Sequence, residues 1–412
     1  MIHTSDFYFP HSRWYLIINE WLPYILIKLN TPITWIAIGY SVNYMLTAYI
    51  FTMLSVKFSK SLVPGWIALF MLLGISWSLI YYPVNYFYLY LILFYFPLRY
   101  AILNDQKTSI VVFAVVSLFI VLGAHKVYMV ALVFMYALLL VEFKDRFIKY
   151  AFWIFPTLIG LSLIKVLFLT ESTYDDQILS GIASTSKWKL WNSKFFVFFL
   201  KKFVLTPGSI LLLWVLFYTL FRTGYNKLIP VTSLLASFCF FILSSVHLYN
   251  GASHTYMELY ANFSIAFLAI PVLYIGFELP AFKKHMPAFL IIIVLFGFFR
   301  SLGYQNIKKR VVAMEEMFEA AEREDWGDKI LIAADNPIRN RLMIDWALPY
   351  ESMLLSTING NCKTAYVDEF KPEVDWNNRK LFISTFEIIP NHNYYLNEQY
   401  FELEERVYYR YE

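Results

Sequence analysis

Seven ionisable side chains lie near the ends of long apolar runs, where they could hold an anionic group or transfer a proton. Two are acidic and five are basic: Asp6, Arg13, His125, Lys126, His254, Glu258 and Arg300. Ionisable groups are costly in lipid, so those at its edge are functional candidates. A mainly cationic set suits a phosphate, because hydrogen bonds between ionised groups are the strong ones. We therefore predict a phosphate site with one or two carboxylates.

Single members of this set also have simpler interpretations. Arg300 could snorkel to the membrane interface, and His125 could cap a helix end. His247 and His254 are seven residues apart, which is not a standard zinc-ligand spacing, so we predict no metal ligands. The phosphate prediction therefore depends on the set as a whole.

The composition places these side chains in a membrane protein. Of the 412 residues, 59% are hydrophobic and 16% are charged, whereas a soluble domain has about 25% charged residues. Residues 1–304 hold 21 Lys and Arg against 10 Asp and Glu, and residues 305–412 hold 13 against 20. Two cysteines exclude a disulfide framework and a cysteine-based zinc module. A basic, apolar body is thus followed by an acidic tail.

Ten apolar runs are candidate spans, since about 20 apolar residues cross the hydrocarbon core. They are 34–54, 62–82, 85–103, 108–123, 126–142, 150–169, 204–221, 229–247, 261–278 and 287–304. A backbone in lipid must satisfy its own hydrogen bonds. We therefore predict an α-helical polytopic membrane bundle of about ten transmembrane helices, with a small C-terminal extracytoplasmic α/β domain. The predicted domains are an outer-face N-terminal segment (1–33), the bundle (34–304) with a long outer loop (170–203), and the tail (305–412).

Basic residues in the loops predict the orientation. One set of short loops holds eleven Lys and Arg, and the alternate loops at 83–84, 124–125 and 248–260 hold none; the basic side is cytoplasmic. The eleven are Lys57, Lys60, Arg99, Lys107, Lys144, Arg146, Lys149, Arg222, Lys227, Lys283 and Lys284. Both chain ends then face outward. No signal peptide precedes Asp6, so we expect a first span upstream of this start site rather than unaided translocation.

Two amphipathic segments are predicted on the outer face. Residues 12–31 carry apolar side chains at helical spacing, and the polar residues among them favour an interfacial helix over a span. Residues 187–203 (KWKLWNSKFFVFFLKKF) end the long outer loop. Their lysines and aromatic residues suit a helix on anionic lipid. The alternative is a wall around the phosphate of a lipid-linked donor.

The acidic tail predicts a small α/β domain. A charged helix at about 307–325 leaves the last span, and a second helix is expected around 350–358. Four strand-like runs accompany them: Lys329–Ala334, Lys363–Val367, Lys380–Thr385 and Phe401–Tyr409. No GxGxxG or Walker motif opens these helices, and the acidic charge argues against nucleic acid as a partner.

This layout resembles the GT-C superfamily of integral membrane glycosyltransferases, including the protein-mannosyltransferase and aminoarabinose-transferase-like enzymes. In that family an acidic residue early in the first outer loop precedes helices parallel to the membrane, a helical bundle and often an outer C-terminal domain. Here Ser5-Asp6-Phe7 precedes the stretch 12–31. The resemblance is architectural and spans the whole chain. This chain departs from the family in two ways: the first span is missing, and the paired acidic motif is reduced to Asp6.

The resemblance implies a reaction. The donor would be a sugar on a polyprenyl phosphate that arrives from the bilayer, and the acceptor would be a glycan, lipid or protein. Asp6 would act as general base on the acceptor hydroxyl, with inversion at the anomeric carbon. Basic residues would stabilise the departing phosphate. These are Arg13, His125, Lys126, His254 and Arg300, with Glu258 beside them. Some family members use a divalent metal and others do not, so the cofactor stays open.

Three other functions stay open. An O-antigen or polysaccharide polymerase would use the loop 170–203, although it would not usually carry such a tail. A flippase would need polar residues through the middle of the bundle, where the spans are almost uncharged. A non-enzymatic scaffold would bind a partner through its tail. The many Ile, Lys, Asn, Tyr and Phe residues are typical of a low-GC bacterial gene, which predicts the bacterial inner (cytoplasmic) membrane.

Overall fold

A computed structural model shows a mainly helical chain with a small sheet in its tail. The described residues are 17–75, 87–123, 126–164, 190–205, 207–221, 227–249, 254–278, several positions between 284 and 298, and 304–411 apart from 343–347, 369–373 and 384–387. The chain forms two compact units. The first holds Ile17–Asn43 and the described residues from 304 onward, and the second holds those from Tyr44 to 298.

The second unit is a bundle whose helices follow the predicted apolar runs. After α1 (Ile17–Lys28), which belongs to the first unit, the helices are α2 (Ile33–Ser59), α3 (Val63–Leu69, continued by a π-helix over Phe70–Ile75), α4 (Phe87–Leu103), α5 (Lys107–Gly123), α6 (Lys126–Glu142), α7 (Lys144–Ile164), α8 (Lys194–Leu205), α9 (Pro207–Phe221), α10 (Leu228–His247) and α11 (His254–Glu278). The first part of α2 packs in the first unit. Helices suit an apolar medium because each one satisfies the hydrogen-bonding groups of its own backbone.

Four helices among the described residues are long and apolar enough to cross a membrane: Ile33–Ser59, Lys144–Ile164, Leu228–His247 and Met257–Phe277. A fifth candidate is the pair Lys194–Val204 and Gly208–Tyr218, bent by 79°. Four further apolar helices are shorter, at 10–17 residues: Val63–Leu73, Leu91–Leu103, Lys107–Phe119 and Val130–Glu142. These helices indicate a multi-pass membrane protein. Four or five spans, fewer than the ten predicted, meet the requirements of length and composition.

The outward faces of the helices are apolar. Trp35, Phe119, Phe152 and Phe238 each have more than half of their surface exposed. Soluble proteins rarely expose large contiguous apolar patches. A lipid environment accounts for this surface.

Helix α11 forms the centre of the bundle. Its residues 258–277 are all buried, and it contacts α3, α4, α8, α9 and α10. Ser237 Oγ of α10 donates a hydrogen bond to the Ser264 carbonyl at 2.6 Å. The Phe240 ring stacks on Tyr260 with centroids 6.0 Å apart. A polar group at positions 258–277 of α11 is therefore surrounded by protein.

The first unit contains a parallel sheet with strand order β2-β1-β5. Its elements are α12 (Tyr304–Arg323), β1 (Lys329–Ile332), α13 (Arg339–Leu342), α14 (Leu348–Ile358), β2 (Thr364–Val367), β3 (Phe382–Ile383), β4 (Ile388–Ile389) and β5 (Tyr409–Tyr411). In register, Ile330 pairs with Ala365 and with Tyr409. The apolar face of α12, including Met317, packs on β1. The predicted small α/β arrangement is thus present among these residues.

Helix α1 packs with residues of the tail. Ile27 of α1 and Ile36 of α2 are buried in one cluster with Met353, Phe382 and Phe401. The Tyr400 hydroxyl donates a hydrogen bond to the Thr31 carbonyl at 2.9 Å. The apolar stripe predicted to lie on lipid therefore buries part of its surface in a protein core.

The predicted strand at 401–409 is largely irregular, and β5 begins only at Tyr409. Phe401 and Leu403 are buried, so the alternating apolar pattern there reflects core packing. The Glu404 amide donates to the Asp328 carboxylate. Because a side chain satisfies this amide, no neighbouring strand is needed at that point.

Candidate functional site in the helical bundle

The predicted phosphate site is only partly within the described residues. Asp6, Arg13, His125 and Arg300 lie outside them. Lys126 and His254 are the first residues of α6 and α11, and their side chains also lie outside the described part. Glu258 is the one member whose side chain is described. The assembly of the seven groups therefore stays a prediction.

Glu258 forms an ion pair with Lys202 inside the bundle. Lys202 Nζ lies 2.9 Å from Glu258 Oε1, and both side chains are 0% exposed. Lys202 belongs to α8 and Glu258 to the first turns of α11. Lys and Glu are almost never fully buried unless they are paired, so this contact is the most distinctive polar feature of the described bundle.

Helix α8 buries one lysine and exposes apolar side chains elsewhere on its surface. Phe195 and Lys202 are fully buried, whereas Val197 and Val204 are 57% and 66% exposed. The neighbouring Lys194 and Lys201 are exposed. The exposed valines suit a helix that meets lipid, and the buried Lys202 needs a polar partner inside the bundle.

Contacts at the start of α8 hold the lysine in place. Ser193 Oγ donates a hydrogen bond to the Ser245 carbonyl at 2.8 Å, and the Lys194 amide donates to the Tyr249 carbonyl at 2.9 Å. The Phe199 ring packs on Phe241 of α10, with centroids 4.6 Å apart. The position of Lys202 is therefore set by the α8–α10 interface.

Burial makes this ion pair costly to build. Moving a charge out of water costs several kcal/mol per ion even after relaxation. The attraction between the partners offsets that cost only with good geometry, and apolar residues would often be as stable. Asn262, which is 4% exposed, follows one helical turn after Glu258 and lies on the same face of α11. A buried polar strip of this kind is a candidate for binding or chemistry.

A second ionic cluster lies near the other end of α11. Arg99 Nη2 is 2.6 Å and Nε 2.8 Å from Glu142 Oε1, and the guanidinium lies 4.0 Å from the centre of the Tyr274 ring. Tyr274 follows Glu258 by sixteen positions, which correspond to about 24 Å of helix. The described bundle thus carries charged groups toward both ends of its central helix.

Lys202 was part of the predicted amphipathic stretch but not of the predicted site. Its spacing from Phe195 and Phe199 is i+7 and i+3, which puts all three on one helical face. That spacing is the one sequence feature that could have indicated that Lys202 faces the bundle interior. The spacing could not identify its partner on α11.

The described residues contain no group of three or more His, Cys, Asp or Glu side chains that could hold a metal ion. The His247 ring instead lies against Tyr260, with centroids 5.4 Å apart.

No protein-family model, curated protein or solved structure matches the chain. The chemistry of the site therefore has to be argued from its own residues.

Proposed function

We propose that this protein is a membrane glycosyltransferase that moves a sugar from a polyprenyl-phosphate donor to an acceptor at the outer face of the membrane. The buried Lys202–Glu258 pair is the observation that carries the proposal. A lipid-linked phosphate enters from the bilayer, and its charge needs a cation that is already desolvated and held in place. An ammonium has three donors, so Lys202 can donate to a phosphate oxygen while it keeps Glu258.

The roles of the other residues come from the GT-C resemblance. Asp6 is the general base on the acceptor hydroxyl, and the basic set of Arg13, His125, Lys126, His254 and Arg300 stabilises the leaving phosphate. Lys202 joins that set. Glu258 is a positioning residue in this scheme, because its carboxylate compensates and orients the ammonium. The acceptor is a glycan, lipid or protein.

The same proposal includes the finer topology. The bundle has about ten transmembrane helices in the bacterial inner membrane. The shorter apolar helices belong to the spans that are not counted among the four or five long ones. The tail is extracytoplasmic, as the eleven loop cations predict. A reporter fused after residue 412 should be active only outside the cytoplasm, and a cytoplasmic signal would contradict this orientation.

The test measures polyprenyl-linked sugars by mass spectrometry in cells that lack the gene. The same cells carrying a variant copy of the gene are measured beside them. The double variant Lys202→Met/Glu258→Met removes both charges and leaves neither one unpaired. Lys201→Met is the matched control, because Lys201 is the exposed neighbour. A single sugar on polyprenyl phosphate should build up in the deletion and the double variant at normal protein level, and not in the control. Unchanged pools in the deletion would refute the proposal.

A flippase or polymerase is the second candidate, and the same ion pair favours it. Ionisable groups inside a bundle also mark transport paths. Either function would leave pyrophosphate-linked oligosaccharide units in the deletion strain instead of a single sugar on a monophosphate. The two pools are distinguished by mass in the same experiment.

A further inference from the structure

The first unit contains a cavity of about 1090 Å³, partly open to solvent, that the proposed reaction does not use. Its wall comes from the end of α12, the turns at 325–328 and 360–363, and the segment 392–406. Small-molecule pockets measure roughly 300–1,000 Å³. The cavity is therefore large enough for a small ligand.

Asp328 lines this cavity with an unsatisfied acceptor. Its side chain is 6% exposed, and Oδ2 accepts a hydrogen bond from the Glu404 amide. Oδ1 has no hydrogen-bond partner in the part of the chain that the structure describes. Burial raises the pKa of the Asp328 carboxyl to about 6. A buried acceptor without a partner is destabilising, so a ligand that donates there would be favoured.

His392 brings a second unsatisfied atom to the same wall. It is 2% exposed, and its Nε2 has no hydrogen-bond partner among the described residues. Burial lowers the pKa of His392 to about 4, with a contribution from the nearby Lys329 and Lys380. The imidazole is therefore neutral near pH 7. A neutral ring nitrogen can accept from or donate to a ligand hydroxyl.

The charge of the wall points to a cation. Seven carboxylates line the cavity, against two permanent cations, Lys363 and Arg406. The carboxylates are Glu322, Asp325, Asp328, Glu398, Glu402, Glu404 and Glu405. Ion pairs occupy four of them: Glu322 with Lys363, Asp325 and Glu404 with Arg406, and Glu405 with Lys380. Asp328, Glu398 and Glu402 have no ion-pair partner within the described residues.

Two other uses of the cavity fit less well. Burial raises the pKa of the Cys362 thiol to about 11, which leaves little thiolate for nucleophilic chemistry. The carboxylates do not converge as a metal requires, since no three acidic, His or Cys side chains form a metal-binding group in the described chain. An organic cation needs only one carboxylate contact and a polar neighbour.

We propose that this cavity binds a small organic cation, a primary ammonium compound with an adjoining hydroxyl. The ammonium donates to Asp328 Oδ1, and the hydroxyl bonds to His392 Nε2. Glu398 and Glu402 add to the negative potential at the cavity wall. This proposal does not depend on the glycosyltransferase assignment.

The test is ligand-observed NMR on the full-length protein in detergent. Glucosamine and ethanolamine are the probes. N-acetylglucosamine and ethylene glycol are their uncharged counterparts, and Mg²⁺ is added alone as a separate competitor. Saturable binding of an ammonium probe, absent for its counterpart, is the expected result. No saturable binding of either probe, or complete displacement by Mg²⁺, would overturn the proposal.

Variants locate the binding. Asp328→Asn keeps an acceptor for the Glu404 amide and should weaken binding about tenfold, as expected for the loss of one charge-assisted hydrogen bond. Glu402→Gln, at an exposed position of the wall, should weaken it less and keeps the test open if Asp328→Asn does not fold. Asp335→Asn changes an exposed carboxylate outside the wall and should bind normally. Equal affinity in all three variants would place the binding elsewhere and refute the site.

Discussion

Lys202 Nζ and Glu258 Oε1 lie 2.9 Å apart with both side chains fully buried, although 56 residues separate them in the chain. One partner is on a bent, lipid-compatible helix pair and the other is on the central helix. The pair therefore joins a helix pair that bends by 79° to a helix whose residues 258–277 are all buried. Its loss has separate consequences for stability and for activity.

The first prediction concerns the stability of this pair. Lys202→Met or Glu258→Gln alone should destabilise the bundle by about 3–5 kcal/mol, because each leaves a buried charge without compensation. The double variant Lys202→Met/Glu258→Met should be much closer to wild type. Thermal melting in detergent measures the three proteins. Additive losses in the double variant would mean that the two charges are not coupled.

The second prediction concerns the Arg99 cluster. Arg99→Lys keeps the charge but loses both the two-nitrogen contact with Glu142 and the planar stacking on Tyr274. We expect a loss of about 1.5–3 kcal/mol, in the range for hydrogen bonds to charged groups. Detergent melting is again the measurement, with the exposed Lys144→Met as control. A wild-type melting temperature for Arg99→Lys would show that a positive charge at this position is enough to stabilise the bundle, without the guanidinium geometry.

The third prediction separates the two sides of α1. Ile27 is 3% exposed within the first unit, and Ile25 is 45% exposed. Ile27→Ala should cost about 2–5 kcal/mol through lost burial and a cavity, whereas Ile25→Ala should cost little. Hydrogen exchange of the tail peptides around Phe382 reports the effect. Equal protection in both variants would contradict packing of α1 in that core.

The fourth prediction concerns pH in the first unit. The raised pKa of Asp328, about 6 against 3.8, gives stability that is present at low pH and lost as the pH rises through 6. The lowered pKa of His392, about 4 against 6.5, gives stability that is present above 6.5 and lost as the pH falls toward 4. The two effects oppose each other in the same window.

Single variants should therefore reveal opposite trends. On acidification from pH 7 to pH 5, the β1 amides should lose protection in Asp328→Asn and gain it in His392→Gln, relative to wild type. Hydrogen exchange, corrected for the intrinsic rate at each pH, provides the measurement. Surface carboxylates are the same in both variants, so their effect on amide protection cancels when the variants are compared. Identical pH profiles would show that these two groups do not titrate as their burial requires.

Local patterns predicted much of the secondary structure. The apolar runs at 229–247 and 261–278 became α10 and α11, and the charged run at 307–325 became α12. Length was predicted less well, because several apolar runs form helices shorter than a full span. The strand expected at 401–409 failed because alternating burial also arises in an irregular segment that packs on a core.

The candidate sites were less predictable. Glu258 could be selected because a carboxylate near an apolar run is conspicuous, but its partner Lys202 was one of several lysines in an amphipathic stretch. Asp328 and His392 carried no distinguishing spacing at all. Their interest arises only from burial without a partner, which is a property of the folded tail.

The sequence by itself determined that the body is helical and apolar, that the tail is acidic, and that the tail combines helices with strands. These properties follow from composition and periodicity, which act over a few neighbouring residues. The tertiary structure alone decided that Lys202 meets Glu258, that Arg99 meets Glu142, and that Asp328 and His392 share one cavity. Such pairings depend on which helix faces and turns come together, and that is settled by packing between segments distant in the chain.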